Sequence, residues 1–192
     1  MGMGGMIDSH DFVVRCTSWV TAHRGQSGAK ISAWAWFGSP ALWPKVYAIP
    51  EGRWESWFVL VPSGKTFNVS ASYFAKGVAT AHGPNYEIDP ALWNLAKSVL
   101  RVQPSTGFLA VLMALQRLHP SRLTIVGMDC TLPTNPYWDE PFRVKNWPTD
   151  GKRAFGHNYV REKQLLAGSV KNKRFGPMFW ETEIDWIGRP AL

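Results

Sequence analysis

The run "TGFLAVLMALQRLHPSRLTIVG", residues 106–127, restricts the possible folds of this chain more than any other stretch. Phe108, Val111, Leu112, Leu115 and Leu118 recur at helical spacing and form one apolar stripe. After His119, Pro120 and Ser121 the pattern changes to "RLTIVG", a short β-branched run closed by a glycine. Such a run reads as a buried strand. A greasy helix passing straight into a buried strand belongs to layered folds in which helices cover a sheet. At 192 residues and 45% hydrophobic content, the chain is long enough for a substantial core and is expected to form one domain, 1–192.

Other segments agree with that class. "DFVVR" (11–15), "KISAWAWF" (30–37), "KVYAI" (45–49) and "SWFVLV" (56–61) read as strands, and Gly or Pro punctuates the chain after the last three. "DPALWNLAKSVLR" (89–101) reads as a helix with Asp89 as N-cap and Pro90 at its first position, its stripe being Leu92, Leu95, Ala96 and Val99. "HNYVREKQLLAGS" (157–169) is the last clear helix. Strands mixed with helices and few hairpin signals favour an α/β sandwich with a largely parallel sheet. Residues 131–156 are rich in Pro, Asn, Gly and aromatics, and a connection of that length inside a compact domain suggests an active-site loop.

Charge and cysteine content exclude some function classes. The formal charge is +7, with Arg143, Lys145, Lys152, Arg153, Arg161, Lys163, Lys171, Lys173 and Arg174 in the final third. That face is either plainly solvated or attracts an anion: a nucleotide, an acidic lipid surface or a nucleic acid. The basic residues form no dense run and no RNA-binding signature occurs, so no nucleic-acid partner is expected. Peripheral contact of the basic third with a membrane fits the charge. Two cysteines, Cys16 and Cys130, and no signal-peptide pattern at the start fit a cytoplasmic protein. The sequence has no DxD, CxxC or HxxxH spacing, so neither a metal nor a cofactor is expected.

The mouth of the greasy helix, "PSTG" (104–107), has two readings. A helix leaves its first N–H groups without internal partners and carries partial positive charge there. Ser105 can cap it, which accounts for one hydroxyl. Gly107 costs up to about 1 kcal/mol of helix propensity against alanine, and its missing Cβ would let an anion approach the N–H groups. His157 is either a polar surface residue at a helix start or a general base, since an imidazole titrates near pH 6.5, about its unperturbed value. Glu162, five positions on, lies about 140° further round a helix. A structural or orienting role therefore suits Glu162 better than a ligand shared with His157.

"PSTGFLAVLMALQRLHPSRLTIVG" (104–127) resembles the small sialylmotif of the eukaryotic-type sialyltransferases, glycosyltransferase family 29. Three further stretches resemble that family in the same order. "GMGGMIDSHDFVVR" (2–15) is similar to the second half of the large motif, "PYWD" (136–139) to the third, and "HNYVRE" (157–162) to the very small motif His-x4-Glu.

The resemblance implies a GT-A-like, Rossmann-type sandwich with a mostly parallel central sheet flanked by helices. It implies an inverting, metal-independent transfer of sialic acid, or a related acidic sugar such as Kdo, from a CMP-activated donor to a glycan or glycolipid hydroxyl. Ser105, Thr106 and Gly107 would face the donor's phosphate and carboxylate. Gly127 would lie against its ribose or cytosine, and Tyr137 would bond the phosphate. His157 would be the general base, with Glu162 and Arg15 supporting.

Several positions depart from the pattern. Thr17 stands where the family has asparagine in Arg-x-Asn, altering one donor contact, and Pro136 replaces the third-motif histidine. The family's first strand, its Gly-Asn turn and its disulfide have no counterpart here. A catalytically incomplete remnant and a basic nucleic-acid- or acidic-surface-binding module are the competing expectations.

Overall fold

The computed structural model describes residues 2–16, 28–36, 56–59, 85–127, 157–167 and 182–187. They belong to two compact units, Met1–Trp93 and Asn94–Leu192. Four helices and six short strands occur along them, and every strand pairing among the described residues is parallel. The fold is mixed α/β.

The first unit opens with α1 (Gly4–Asp8) and carries a four-stranded sheet. Its strands β1 (Val14–Cys16), β2 (Ala33–Trp36), β3 (Ser56–Val59) and β4 (Asn85–Glu87) lie side by side in chain order. Arg15 is opposite Trp34, Trp34 opposite Trp57, and Phe58 opposite Tyr86. Three consecutive residues of β2, Ala33, Trp34 and Ala35, are fully buried. Neighbours on a strand point to opposite faces, so both faces of β2 are covered, as parallel sheets require. β3 has a partner on each side, in keeping with the unbroken apolar run "SWFV".

Two of these strands begin later than their sequence patterns suggest. "DFVVR" becomes Val14–Cys16 because Val13 turns its N–H to the Ser32 hydroxyl, 3.1 Å, while its carbonyl accepts from Ser32 and Ala33. "KISAWAWF" becomes Ala33–Trp36 because Ala29 and Lys30 give their N–H groups to Asp8 rather than to a strand. The strand expected at 45–49 lies outside the described residues.

Helix α2 (Pro90–Leu100) starts as its capping residues dictate: Asp89 Oδ1 accepts the Ala91 N–H at 2.7 Å and Pro90 takes the first turn. In the second unit, α3 (Thr106–Leu118) buries eight consecutive residues, Phe108 to Leu115. A stripe would leave one side wet, whereas this helix is enclosed all round. Leu118, counted in the stripe from its spacing, is 37% exposed. It sits in the last turn, where the chain leaves the core through left-handed His119, φ 45°, and Pro120. Six large side chains of α3 are buried, each stabilising by roughly 1.5–3 kcal/mol before entropy is counted. Truncating Leu112 to alanine costs about 2–5 kcal/mol.

After α3, β5 (Arg122–Val126) pairs in parallel with β6 (Glu183–Ile187) across five residues, but only Ile125 of it is buried, so the buried strand its sequence suggests is a largely half-exposed one. Arg122 stands opposite Glu183 in that register and reaches diagonally to Asp185 in an ion pair at the surface. Helix α4 (Tyr159–Ala167) completes the unit. Among the described residues no helix is long and apolar enough to cross a membrane.

Candidate functional site

The mouth of α3 is built against α4 and the two residues that precede it. Ser105 caps α3 from an extended conformation, φ −74° and ψ 159°, its Oγ accepting the Phe108 N–H at 3.2 Å. The same hydroxyl donates to Glu162 Oε2 at 2.6 Å, and the Ser105 N–H donates to Glu162 Oε1 at 2.7 Å. Glu162 is fully buried. Its carboxyl therefore takes both donors of one residue, fixing Ser105 in backbone and side chain. Burial pushes the Glu162 pKa up to about 7, against the two Ser105 bonds that pull it down.

Ser105 is thus spoken for. Its hydroxyl donates its single proton to Glu162 and accepts from Phe108, so the capping reading describes its side chain. The N–H groups of Thr106 and Gly107 have no partner among the described residues, and both residues are part-exposed. The donors available to an anion at this helix end are therefore those of Thr106 and Gly107. The Ser105 hydroxyl is not among them.

His157 lies beside the same segment, its Nδ1 2.7 Å from the Gln103 carbonyl oxygen. A carbonyl can only accept, so Nδ1 carries the hydrogen, and in the neutral ring the lone pair is on Nε2. Burial lowers the His157 pKa below 6.5 despite the Gln103 bond, which raises it. The ring is held neutral near pH 7 by desolvation. The sequence pattern puts the start of this helix at His157. The structure moves the start to Tyr159, because Asn158 caps α4 with its Oδ1 on the Arg161 N–H at 3.1 Å. His157 precedes the cap, outside the helix.

Residues 103–105 thus bind two partners from one short segment: Gln103 holds His157 and Ser105 holds Glu162. Arg161 adds a third tie through Nε to the Val99 carbonyl at 3.0 Å. The 140° helical spacing between His157 and Glu162 does not apply, because His157 lies outside α4, and the two side chains hold different residues of this segment.

Gly127, another of the expected site residues, has φ +73°, and a Cβ added there would meet nothing within 4 Å. Its glycine is explained by left-handed backbone at the end of β5, so the strand-terminus reading accounts for it without a close ligand. Arg15 lies in the first unit, its Nε donating to the Lys30 carbonyl at 2.9 Å and one terminal nitrogen 3.7 Å from Asp8 Oδ1. Thr17, Tyr137, the loop 131–156, Cys130 and most of the basic final third lie outside the described residues.

Asp8 was not singled out from sequence, and it organises the start of the first unit. Its carboxylate accepts from Ala29 at 2.8 and 3.0 Å and from Lys30 at 2.9 Å. Gly28 makes room: with φ +77°, a Cβ there would stand 2.2 Å from Asp8 Oδ1. Burial raises the Asp8 pKa, but the Ala29 and Lys30 amides and the Arg15 and Lys30 cations outweigh it and hold the carboxyl below 3.8. The signal was available in "MID" followed twenty residues on by "GAK", but no local pattern pairs them. Cys16 is a free thiol whose pKa burial pushes up to about 12, making it a poor nucleophile.

Among the described residues no group of three His, Cys, Asp or Glu side chains is arranged to hold a metal ion. No protein-family model, curated protein or solved structure matches the chain.

Proposed function

We propose that this chain is an inverting, metal-independent glycosyltransferase that moves sialic acid, or a related acidic sugar such as Kdo, from a CMP-activated donor to a sugar hydroxyl. The proposal extends the mixed α/β architecture to a GT-A-like, Rossmann-type sandwich. The observation that carries it is the meeting of two stretches more than fifty residues apart. The Pro-Ser-Thr-Gly helix mouth and the His-x4-Glu segment, matched separately to family motifs, are joined by the Gln103–His157 and Ser105–Glu162 bonds.

In this reading His157 Nε2 takes the proton of the acceptor hydroxyl as its oxygen attacks the donor's anomeric carbon. A carbon–oxygen bond to the acceptor forms, the bond to the phosphate oxygen breaks, and CMP leaves with the electron pair. The Thr106 and Gly107 N–H groups, at the positive end of a 13-residue helix, offset the charge growing on the phosphate. Ser105 and Glu162 are positioning residues: they hold the turn from which those amides project. The family resemblance alone assigns further donor contacts to Tyr137 and Thr17, which lie outside the described residues, and a supporting role to Arg15.

Calorimetric titration with CMP tests the reading. Wild type and His157→Ala bind CMP, and His157→Ala loses turnover. Gly107→Val, which places a branched side chain over the amides, binds CMP about tenfold or more weakly. A folded chain that binds no cytidine nucleotide refutes the proposal.

A further inference from the structure

Next to the His157–Ser105 cluster, an open cleft of about 270 Å³ is lined by Leu100, Arg101, Val102, Asn158 and Arg161. Buried Leu100 backs it, both arginines are exposed, and most of its surface is polar. No acidic side chain lines it, and neither guanidinium has an ion-pair partner among the described residues. Two unneutralised cations around one cleft repel each other and favour an anion between them. Arg161 is aimed: its Nε donates to Val99 and its planar head is pinned, leaving the terminal nitrogens as donors. Arg101 stands at the end of α2 with φ 60°, in the left-handed region where helices ordinarily recruit glycine. A guanidinium occupies a position that backbone preference would give to a residue without a side chain.

We infer that this cleft is a subsite for an acidic sugar, its carboxylate held by Arg101 and Arg161 and its ring edge bonded by Asn158. The volume is close to the lower end for small-molecule sites and suits one monosaccharide unit rather than a nucleotide. Asn158 follows the base His157 directly, and Val102 precedes its anchor Gln103. A sugar seated here lies on the acceptor side of the reaction. That last assignment rests on the function proposed above: the acceptor carries an acidic unit, and the two arginines select for it.

The test is an NMR titration of the full chain with glucuronate and with glucose, and in parallel with CMP. Glucuronate shifts resonances of residues 100–102 and 158–161, and glucose at the same concentration does not. Arg101→Gln and Arg161→Gln each weaken glucuronate binding about fivefold or more, and both bind CMP as wild type does. Should Arg161→Gln fail to fold, Arg101→Gln decides alone, because among the described residues Arg101 is bonded only through its backbone N–H, to the Lys97 carbonyl. Glucuronate binding that survives Arg101→Gln, or that glucose equals, overturns the subsite. Loss of CMP binding in the folded Arg101→Gln variant also overturns it, since the arginine then serves the donor. Failure of wild type to bind CMP overturns the acceptor assignment, while the arginine-dependent glucuronate signal still reads the cleft by itself.

Discussion

Replacing Glu162 by glutamine distinguishes a buried acid from a buried ion. Burial raises the Glu162 pKa to about 7 from an ordinary 4.5, so at about pH 5 the folded protein keeps the proton. Glutamine copies that acid. Its carbonyl accepts the Ser105 N–H, and its amide donates to Ser105 Oγ as the acid's O–H would, reversing the Ser105-to-Glu162 hydroxyl bond that the ionised carboxylate accepts. At about pH 5 the two proteins therefore differ by less than about 1 kcal/mol. The sign of the pH dependence follows from linkage. A carboxyl whose folded pKa lies above its unfolded one contributes stability that is complete below 4.5 and is lost as pH rises through 7. At about 1.4 kcal/mol per pH unit, the wild type loses about 3 kcal/mol across that window, and glutamine, which has no proton to lose, escapes the loss.

Urea unfolding of both proteins at about pH 5, 6, 7 and 8 measures this, because every other titrating group cancels in the difference. The expected result is equal stability at the acid end and a Glu162→Gln variant more stable by about 2–3 kcal/mol at the alkaline end. Parallel pH curves, or a variant less stable than wild type at pH 8, would refute the reasoning, since the carboxylate would then be favoured as an ion. Glu162→Ala is the control. It orphans both Ser105 donors and is less stable at every pH, by about 1–3 kcal/mol for each buried group left unbonded.

Three other outcomes follow from the geometry. Turnover falls as pH drops through the His157 pKa, which burial places below 6.5, so the acid limb of the kcat/KM profile lies below that of an exposed imidazole. Gly28→Ala sets a Cβ 2.2 Å from Asp8 Oδ1 at φ +77°, and thermal unfolding should show a loss of about 2 kcal/mol. In a Cys130→Ser background, alkylation of Cys16 is much slower than that of a free cysteine at neutral pH, because burial pushes its thiol up to about 12. Labelling at the rate of an exposed thiol contradicts that placement.

Elements whose signals are local were legible in the sequence. Asp89 and Pro90 set the start of α2, the Ser105 cap sets the start of α3, and the apolar runs at β2, β3 and β5 marked strands, although β5 is buried only at Ile125. Elements that depend on distant partners were not. β4 is three residues long and has no alternation to detect, and β6, "EIDWI", is specified by its register against β5. The start of α4 was misplaced by two residues because histidine and asparagine both qualify as first polar residues, and only the Asn158–Arg161 bond decides between them. The site showed the same division. Ser105, His157 and Glu162 stood out as residue types, but the bonds that join them are tertiary.

The role of Glu162 shows how such a bond changes the meaning of a motif. Taken alone, Ser-Thr-Gly at a helix mouth suggests three groups turned toward one anion. With Glu162 in place, the serine faces inward, and its hydroxyl completes a chain from carboxyl to Oγ to the Phe108 amide. That chain satisfies the deepest orphan amide of α3 within the protein and leaves the next two, Thr106 and Gly107, for a ligand. The division has a physical basis: an amide sealed in the core needs a permanent partner, whereas one at the part-exposed rim can exchange water for phosphate. Ser105→Ala and Gly107→Val therefore fail differently. The first loses a cap and leaves Glu162 short of a donor, so it shows in unfolding, by about 1–2 kcal/mol. The second blocks the rim and shows in CMP binding with the fold intact. A Ser105→Ala chain as stable as wild type but unable to bind CMP would place the hydroxyl on the ligand and reverse the assignment.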